Sequence, residues 1–224
     1  MKTLFFTTVI LLATAIAGHA QSDSKTILRR GDALVVQEKY QLAIEEYNKV
    51  STRNRDTYAK ASYNIGVCYY ELWQTDEAIT FYKRAVELKA GNYPRASYAL
   101  GVALEDQNAT AEATKAYEQA MSASHGEFAP ATYRLGLLAA RAREFQKAAA
   151  LFREAAARAG EHVAASHNNL GVMLAQQGFL KEAEQEFLIA LKASGGRFDD
   201  ATHNLNLCRS STASVKSDFK LSLG

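Results

Sequence analysis

Apolar residues recur at helical spacing through most of the chain. Within residues 61–72 they fall at Tyr63, Ile65, Tyr69 and Leu72. Residues 77–88 show the same spacing, with apolar side chains at Ala78, Phe81, Tyr82, Ala85, Val86 and Leu88. The short stretch WQTD separates the two runs. This pattern predicts two amphipathic helices joined by a tight turn.

The two-helix pattern returns five times at an interval of 35 residues. A glycine column runs through Gly31, Gly66, Gly101, Gly136 and Gly171. An alanine column follows at Ala43, Ala78, Ala113, Ala148 and Ala183, and an aromatic column at Tyr47, Tyr82, Tyr117, Phe152 and Phe187. Small residues on facing helices let two backbones approach closely, with the aromatic ring filling the space beside them. Such repeats bury their apolar faces by stacking.

Local signals mark the helix ends. Thr75 and Thr110 are predicted to cap second helices, and Pro94 and Pro130 fall where first helices begin. Glycines that tolerate a left-handed conformation follow second helices at Gly91, Gly126, Gly160, Gly195 and Gly196.

The repeats resemble the tetratricopeptide repeat. The positions that this family reserves for small and for aromatic residues fall on the columns above. The resemblance implies an all-α, right-handed superhelical solenoid of five helix-turn-helix repeats at 24–58, 59–93, 94–128, 129–163 and 164–198. Residues 199–209 are predicted to form a capping helix and 210–224 a flexible tail, the whole repeat domain covering 21–209. An alternative for the tail is that Phe219 and Leu221 dock onto the protein itself or onto a partner. The repeats depart from the family in being 35 residues long and in lacking its usual closing proline.

Residues 1–20 have the features of a secretory signal peptide. Lys2 precedes an apolar run from Leu4 to Ala17, and small residues stand at Gly18 and Ala20. Cleavage after Ala20 predicts a periplasmic or extracellular protein of a bacterial cell envelope with no later membrane span. The alternative is an uncleaved anchor, although the apolar run is shorter than the roughly 20 residues that a spanning helix needs.

The two cysteines are predicted to be free. Cys68 and Cys208 lie 140 residues apart, which is four repeats. Stacked repeats would separate them far beyond the roughly 7 Å that a disulfide allows between Cα atoms.

Little in the composition suggests catalysis or the binding of metals, cofactors or nucleic acid. The net charge of +2 gives no basic field for nucleic acid. The histidines show no metal-ligand spacing, and no phosphate-binding loop follows a strand. We therefore expect no catalytic residues, no cofactor and no metal.

The resemblance implies a concave groove lined by the first helices, which family members use to hold extended or helical segments of other proteins. Carried over by position, the groove residues are Tyr63, Tyr98, Tyr133, Val67, Val102, Leu137, Asn64, Arg95, Arg134 and Asn168, and the sixth place of the fifth repeat adds Asn169. The ninth place of each repeat is Val or Leu in four of five repeats, which argues against the carboxylate clamp of the chaperone-binding members. The three tyrosines either form an amphipathic ladder for an apolar partner segment or pack on one another between adjacent helices.

The sequence thus predicts an exported, non-enzymatic scaffold that binds other proteins through its groove. The alternative is a structural component of the cell envelope that self-associates through the incomplete sixth repeat, as a homo-oligomer.

Overall fold

The computed structural model describes residues 24–158, 160, 162–210 and 219–223. Within these ranges all regular structure is helical and no strand is present. The predicted signal segment, 1–20, lies outside the described residues. The helices are α1 (24–36), α2 (Tyr40–Tyr47), α3 (Arg55–Glu71), α4 (Thr75–Leu88), α5 (Pro94–Asp106), α6 (Thr110–Ala123), α7 (Ala129–Arg141), α8 (Phe145–Ala156), α9 (Val163–Gln177), α10 (Leu180–Ala193) and α11 (Asp199–Arg209).

The chain forms two compact units, Met1–Ala109 and Thr110–Gly224. In the first unit α2 packs on α3, α3 on α4 and α4 on α5. In the second unit each helix from α6 to α10 packs on the helix that follows it, up to α11. Within each unit these consecutive helices are therefore spatial neighbours, as stacked helix pairs require.

In the first, second, fourth and fifth repeats the ring of the aromatic column lies against the glycine of its own repeat. A Cβ atom added to Gly171 would lie 2.6 Å from Cε1 of Phe187, and one added to Gly66 would lie 2.6 Å from Cδ1 of Tyr82. Ala183, beside the same packing, is fully buried. The predicted close approach of the paired helices is confirmed, and a side chain at the glycine would prevent it.

The turns within the helix pairs share a left-handed residue. Positive φ angles recur at Glu38, Trp73, Asn108, Arg143 and Gly178, each 35 residues from the next. Only the last is a glycine, so in the other four repeats an ordinary residue adopts a strained conformation that the packing of the pair must stabilise.

The predicted helix starts are partly wrong. Pro94 is the first residue of α5 and Pro130 lies in the first turn of α7, as predicted. Thr75 is not a cap but the first helical residue, and Gln74 before it makes no side-chain cap. Asn54 instead caps α3, since its side chain accepts hydrogen bonds from the backbone of Asp56 and Thr57. This cap starts α3 ahead of the predicted repeat boundary at 59.

Both thiols are buried and unpaired, as predicted. Cys68 lies in a hydrophobic cluster of the first unit with Ile27 and Ile65. Cys208 lies in a cluster of the second unit with Leu205 and Phe187. Of the described helices, none is both long and apolar enough to pass through a bilayer.

The end of the chain differs from the predicted flexible tail. Residues 219–223 lie against the second unit, where Phe219 and Leu221 pack on its hydrophobic cluster. Ser222 is only 6% exposed. The rest of the predicted tail beyond Ser210, 211–218 and 224, lies outside the described residues. The alternative that Phe219 and Leu221 dock onto the protein itself is the one observed.

Candidate functional site

Two asparagines of the second unit each pair with the backbone of one residue in the tail. Asn204 donates from Nδ2 to the carbonyl of Lys220 and accepts at Oδ1 from its N–H, both at 2.8 Å. Asn169 makes the same two contacts with Ser222, again both at 2.8 Å. Both backbone groups of two alternate residues are thereby satisfied, which is how a neighbouring strand would pair with them.

The asparagines are held in place by one another. Asn204 Nδ2 donates to Asn168 Oδ1 at 2.8 Å, and Asn168 Nδ2 donates to Asn169 Oδ1 at 3.2 Å. Asn169 Nδ2 in turn donates to the hydroxyl of Tyr133 at 3.1 Å. This chain of bonds orients each amide before any peptide is bound, which reduces the entropy cost of binding one.

All three asparagine side chains are fully buried, and the tail completes their hydrogen bonding. Asn168 Nδ2 also reaches the carbonyl of Lys220 and the hydroxyl of Ser222, each at 3.1 Å. A buried amide without partners costs about 1–3 kcal/mol. Three such amides side by side therefore favour the binding of a peptide segment whose backbone N–H and C=O groups form hydrogen bonds with them.

Side-chain contacts add selectivity to the backbone pairing. The ring of Phe219 stacks on Phe187, with centroids 6.2 Å apart and 15° between the planes. The hydroxyl of Ser222 donates to Asp200 Oδ2 at 3.1 Å. Lys220 and Leu223 are exposed.

Tyr133 closes the Ser222 end of this arrangement. Its hydroxyl donates to the carbonyl of Ser222 at 2.6 Å. Its ring stacks on His162 at 4.8 Å and meets Phe152 at 5.7 Å. Burial raises the pKa of Tyr133 to about 12, against the smaller opposing effects of Asn169 and Arg134. The hydroxyl is therefore a donor across the neutral pH range.

We call this surface the tail site and define it by Tyr133, Asn168, Asn169, Phe187, Asp200 and Asn204. Helices α7, α9 and α11 supply all of these except Phe187, which belongs to α10. Since α7 and α9 are first helices of their repeats, the tail site lies on the helix faces predicted to line the groove.

The two clamping asparagines occupy the same place in successive repeats. Asn169 and Asn204 are 35 residues apart in sequence, and the residues they hold, Ser222 and Lys220, are two apart. Two residues of extended chain span roughly 6.6–6.8 Å. Asn204, one repeat closer to the C-terminus than Asn169, thus holds a residue of the tail that is two positions closer to the N-terminus. The repeats and the tail therefore run in opposite directions.

Of the groove residues predicted in the second unit, Tyr133 and Asn168 contact the tail. Leu137 is buried in the hydrophobic cluster, so it contributes packing and not contact surface. Arg134 is half-buried next to Tyr133 in sequence.

The groove residues predicted in the first unit make contacts within that unit. The ring of Tyr63 lies 5.9 Å from the ring of Tyr82 and 5.5 Å from the ring of Tyr93. Asn64 donates to Asp32 at 3.0 Å, and Asp32 also accepts from the Tyr47 hydroxyl at 2.6 Å. Arg95 is exposed, while the remaining three are half-buried: Val67, Tyr98 and Val102.

The sequence analysis placed Asn169 in the groove but missed Asn204, Asp200 and Ser222 as site residues. A signal for Asn204 was present, because it occupies the sixth place of its repeat, as Asn64 and Asn169 do. Nothing in the repeat pattern pointed to Asp200 or Ser222, which lie outside the five complete repeats.

Comparison with known proteins agrees with this fold. The tetratricopeptide repeat profile matches residues 28–93 and 133–201, more than half of the chain, and the chain belongs to this family. Membership supports a protein-interaction scaffold. No curated protein sequence matches the chain.

Solved structures of similar fold include MamA, with a TM-score of 0.64 at 23% identity, covering 74% of this chain and 94% of that one. YrrB, described as a TPR protein with an unusual peptide-binding site, has a TM-score of 0.61 at 23% identity, covering 79% and 86%. TTC0263, a TPR protein of Thermus thermophilus, has a TM-score of 0.54 at 20% identity, covering 84% and 99%. At these identities the likeness concerns the fold, and the predicted all-α tetratricopeptide solenoid is confirmed.

Proposed function

We propose that the protein is an exported scaffold without catalytic activity that binds an extended segment of another protein at the tail site. One observation carries the proposal: Asn169 and Asn204 together satisfy four backbone groups of an extended peptide. Backbone pairing by pre-oriented amides recognises an extended conformation and leaves the choice of sequence to a few side-chain contacts. Export rests on the signal-like sequence of residues 1–20.

The test is affinity capture from a cell-envelope fraction, with the tail site altered by Asn169→Ala and Asn204→Ala. The matched control is Asn206→Ala, because Asn206 lies on the same helix as Asn204 but is exposed. Circular dichroism and a melting curve establish that each variant is folded. We expect a partner that wild type and the control retain and the double variant loses. Equal recovery by all three proteins would overturn the proposal.

A second candidate is self-association, and the occupant observed in the tail site favours it, since this occupant is a segment of the same chain. The tail of a second copy offers the same groups to the tail site. This candidate predicts a mass that rises with concentration in sedimentation experiments, and a purely monomeric protein at high concentration would exclude it.

A further inference from the structure

We propose that residues 219–223 are a built-in competitor of the tail site, and that the partner displaces them with a segment of the same chemistry. That chemistry is an extended stretch with an aromatic residue, an aliphatic residue two positions later and a serine directly after it. The inference rests on the proposed function, because it names the segment that the scaffold would recognise.

The side-chain contacts of the tail define this pattern. Phe219 stacks on Phe187 at 6.2 Å, and Leu221 packs on the hydrophobic cluster of the second unit. The serine hydroxyl of Ser222 lies between a donor, Asn168 Nδ2, and an acceptor, Asp200 Oδ2, each at 3.1 Å. Alanine at this position would leave both groups without that partner, whereas a hydroxyl donates and accepts through one small atom.

The intervening positions are not selected. The side chain of Lys220 is exposed and Leu223 is 60% exposed. The site therefore distinguishes three of five side chains and holds the rest of the segment by its backbone.

A covalently attached segment has a large advantage over a free one. Residues 219–223 belong to the chain whose helices form the site, so their binding is intramolecular, with an effective concentration of the order of millimolar for a short connection. A free segment of equal intrinsic affinity then competes poorly. A partner therefore displaces the tail only if its segment binds more tightly, is present at a high local concentration or belongs to a multivalent partner.

The test uses the full-length chain, a labelled peptide with the sequence of residues 217–223, SDFKLSL, and fluorescence anisotropy. The tail is released by Phe219→Ala, Leu221→Ala and Ser222→Pro together, since proline removes the N–H that Asn169 holds. We expect the released variant to bind the peptide at least tenfold more tightly than wild type. Combining the release with Asn169→Ala and Asn204→Ala should abolish this binding, and a peptide with the same residues in scrambled order should bind to neither protein.

Equal binding of the peptide by wild type and released protein would overturn the inference, as would no binding to either. Dimers that form by exchange of tails, seen as a doubled mass of wild type but not of the released variant, would also overturn it in favour of a second copy as the occupant. The proposed function is tested separately: if the released variant captures an envelope protein through the asparagines yet ignores the peptide, the function stands and the pattern is wrong. If altering the asparagines changes neither peptide binding nor capture, both fail.

Discussion

Asn169 and Asn204 occupy equivalent positions in successive repeats and hold Ser222 and Lys220 by the same pair of backbone hydrogen bonds. One repeat of the protein therefore corresponds to two residues of the tail. A scaffold built in this way selects a peptide mainly by its backbone conformation, because the contacts that repeat are hydrogen bonds to the backbone.

This relationship predicts the exchange behaviour of two individual amides. Asn204→Ala should expose the N–H of Lys220, and Asn169→Ala that of Ser222, because each loses its acceptor. With a buried hydrogen-bond pair contributing about 1–2 kcal/mol, the amide should exchange with deuterium roughly five to thirty times faster. NMR-detected hydrogen exchange resolves the two positions.

The control for this experiment is Asn206→Ala, which should leave both amides protected because Asn206 is exposed on the same helix. If neither asparagine variant changes the exchange of its own partner, the backbone clamps do not hold the tail in solution.

Packing of the repeat predicts a large cost for a methyl group at Gly171. A Cβ there would lie 2.6 Å from Cε1 of Phe187, a ring that is completely buried and cannot move aside. Gly171→Ala should therefore lower the free energy of unfolding by about 1–3 kcal/mol. Urea denaturation measures the effect.

A double-mutant cycle checks the cause of that loss. Phe187→Leu shortens the opposing side chain, so Gly171→Ala should cost less in the Phe187→Leu background than in wild type. Strict additivity of the two substitutions would show that the ring is not the obstacle.

The sequence predicted the repeat but not the occupied site, and the two residues concerned explain why. Gly171 and Phe187 meet within a single repeat, and the same contact is present in three other repeats, so it appears in the sequence as two columns. Asn169 and Ser222 meet across 53 residues, and the tail has no counterpart in the repeats. A contact made once leaves no periodic signal. Only the asparagines at the sixth place of three repeats were visible, and what they bind could not be inferred from them.

Burial predicts that the two thiols are inert in the folded protein. Burial raises the pKa of Cys68 and of Cys208 to about 11, so at pH 8 almost no thiolate is available to react. A thiol reagent should label neither cysteine in the native protein and both after denaturation without reductant. Rapid labelling of the native protein would contradict the buried positions, and no labelling after denaturation would indicate a disulfide.

The signal-like segment predicts the mature N-terminus. Protein recovered from the cell envelope should begin at Gln21, because signal peptidase requires small residues at the positions of Gly18 and Ala20. Intact-mass measurement determines the N-terminal residue directly. Ala20→Phe should block processing and shift the mass to that of the full chain, whereas recovery of unprocessed wild type would favour the anchor.

The hydroxyl of Tyr133 predicts a contribution to stability that depends on pH. Burial raises the pKa of Tyr133 to about 12 in the folded protein, whereas an unfolded tyrosine titrates near pH 10. The folded state thus favours the protonated hydroxyl, which donates to the carbonyl of Ser222 at 2.6 Å. The stabilisation is complete below about pH 10 and is lost as the pH rises towards about 12.

Tyr133→Phe isolates this contribution from the other groups that titrate in the same range. Below pH 10 the variant should be about 1–3 kcal/mol less stable than wild type in urea denaturation, since the hydrogen bond to the Ser222 carbonyl and the one from Asn169 are both lost. This difference should shrink as the pH approaches 12. In the released variant, where Ser222 no longer meets the hydroxyl, Tyr133→Phe should cost less at neutral pH. A difference that is the same with and without the bound tail would show that the hydroxyl acts through its bond with Asn169, and not through the tail.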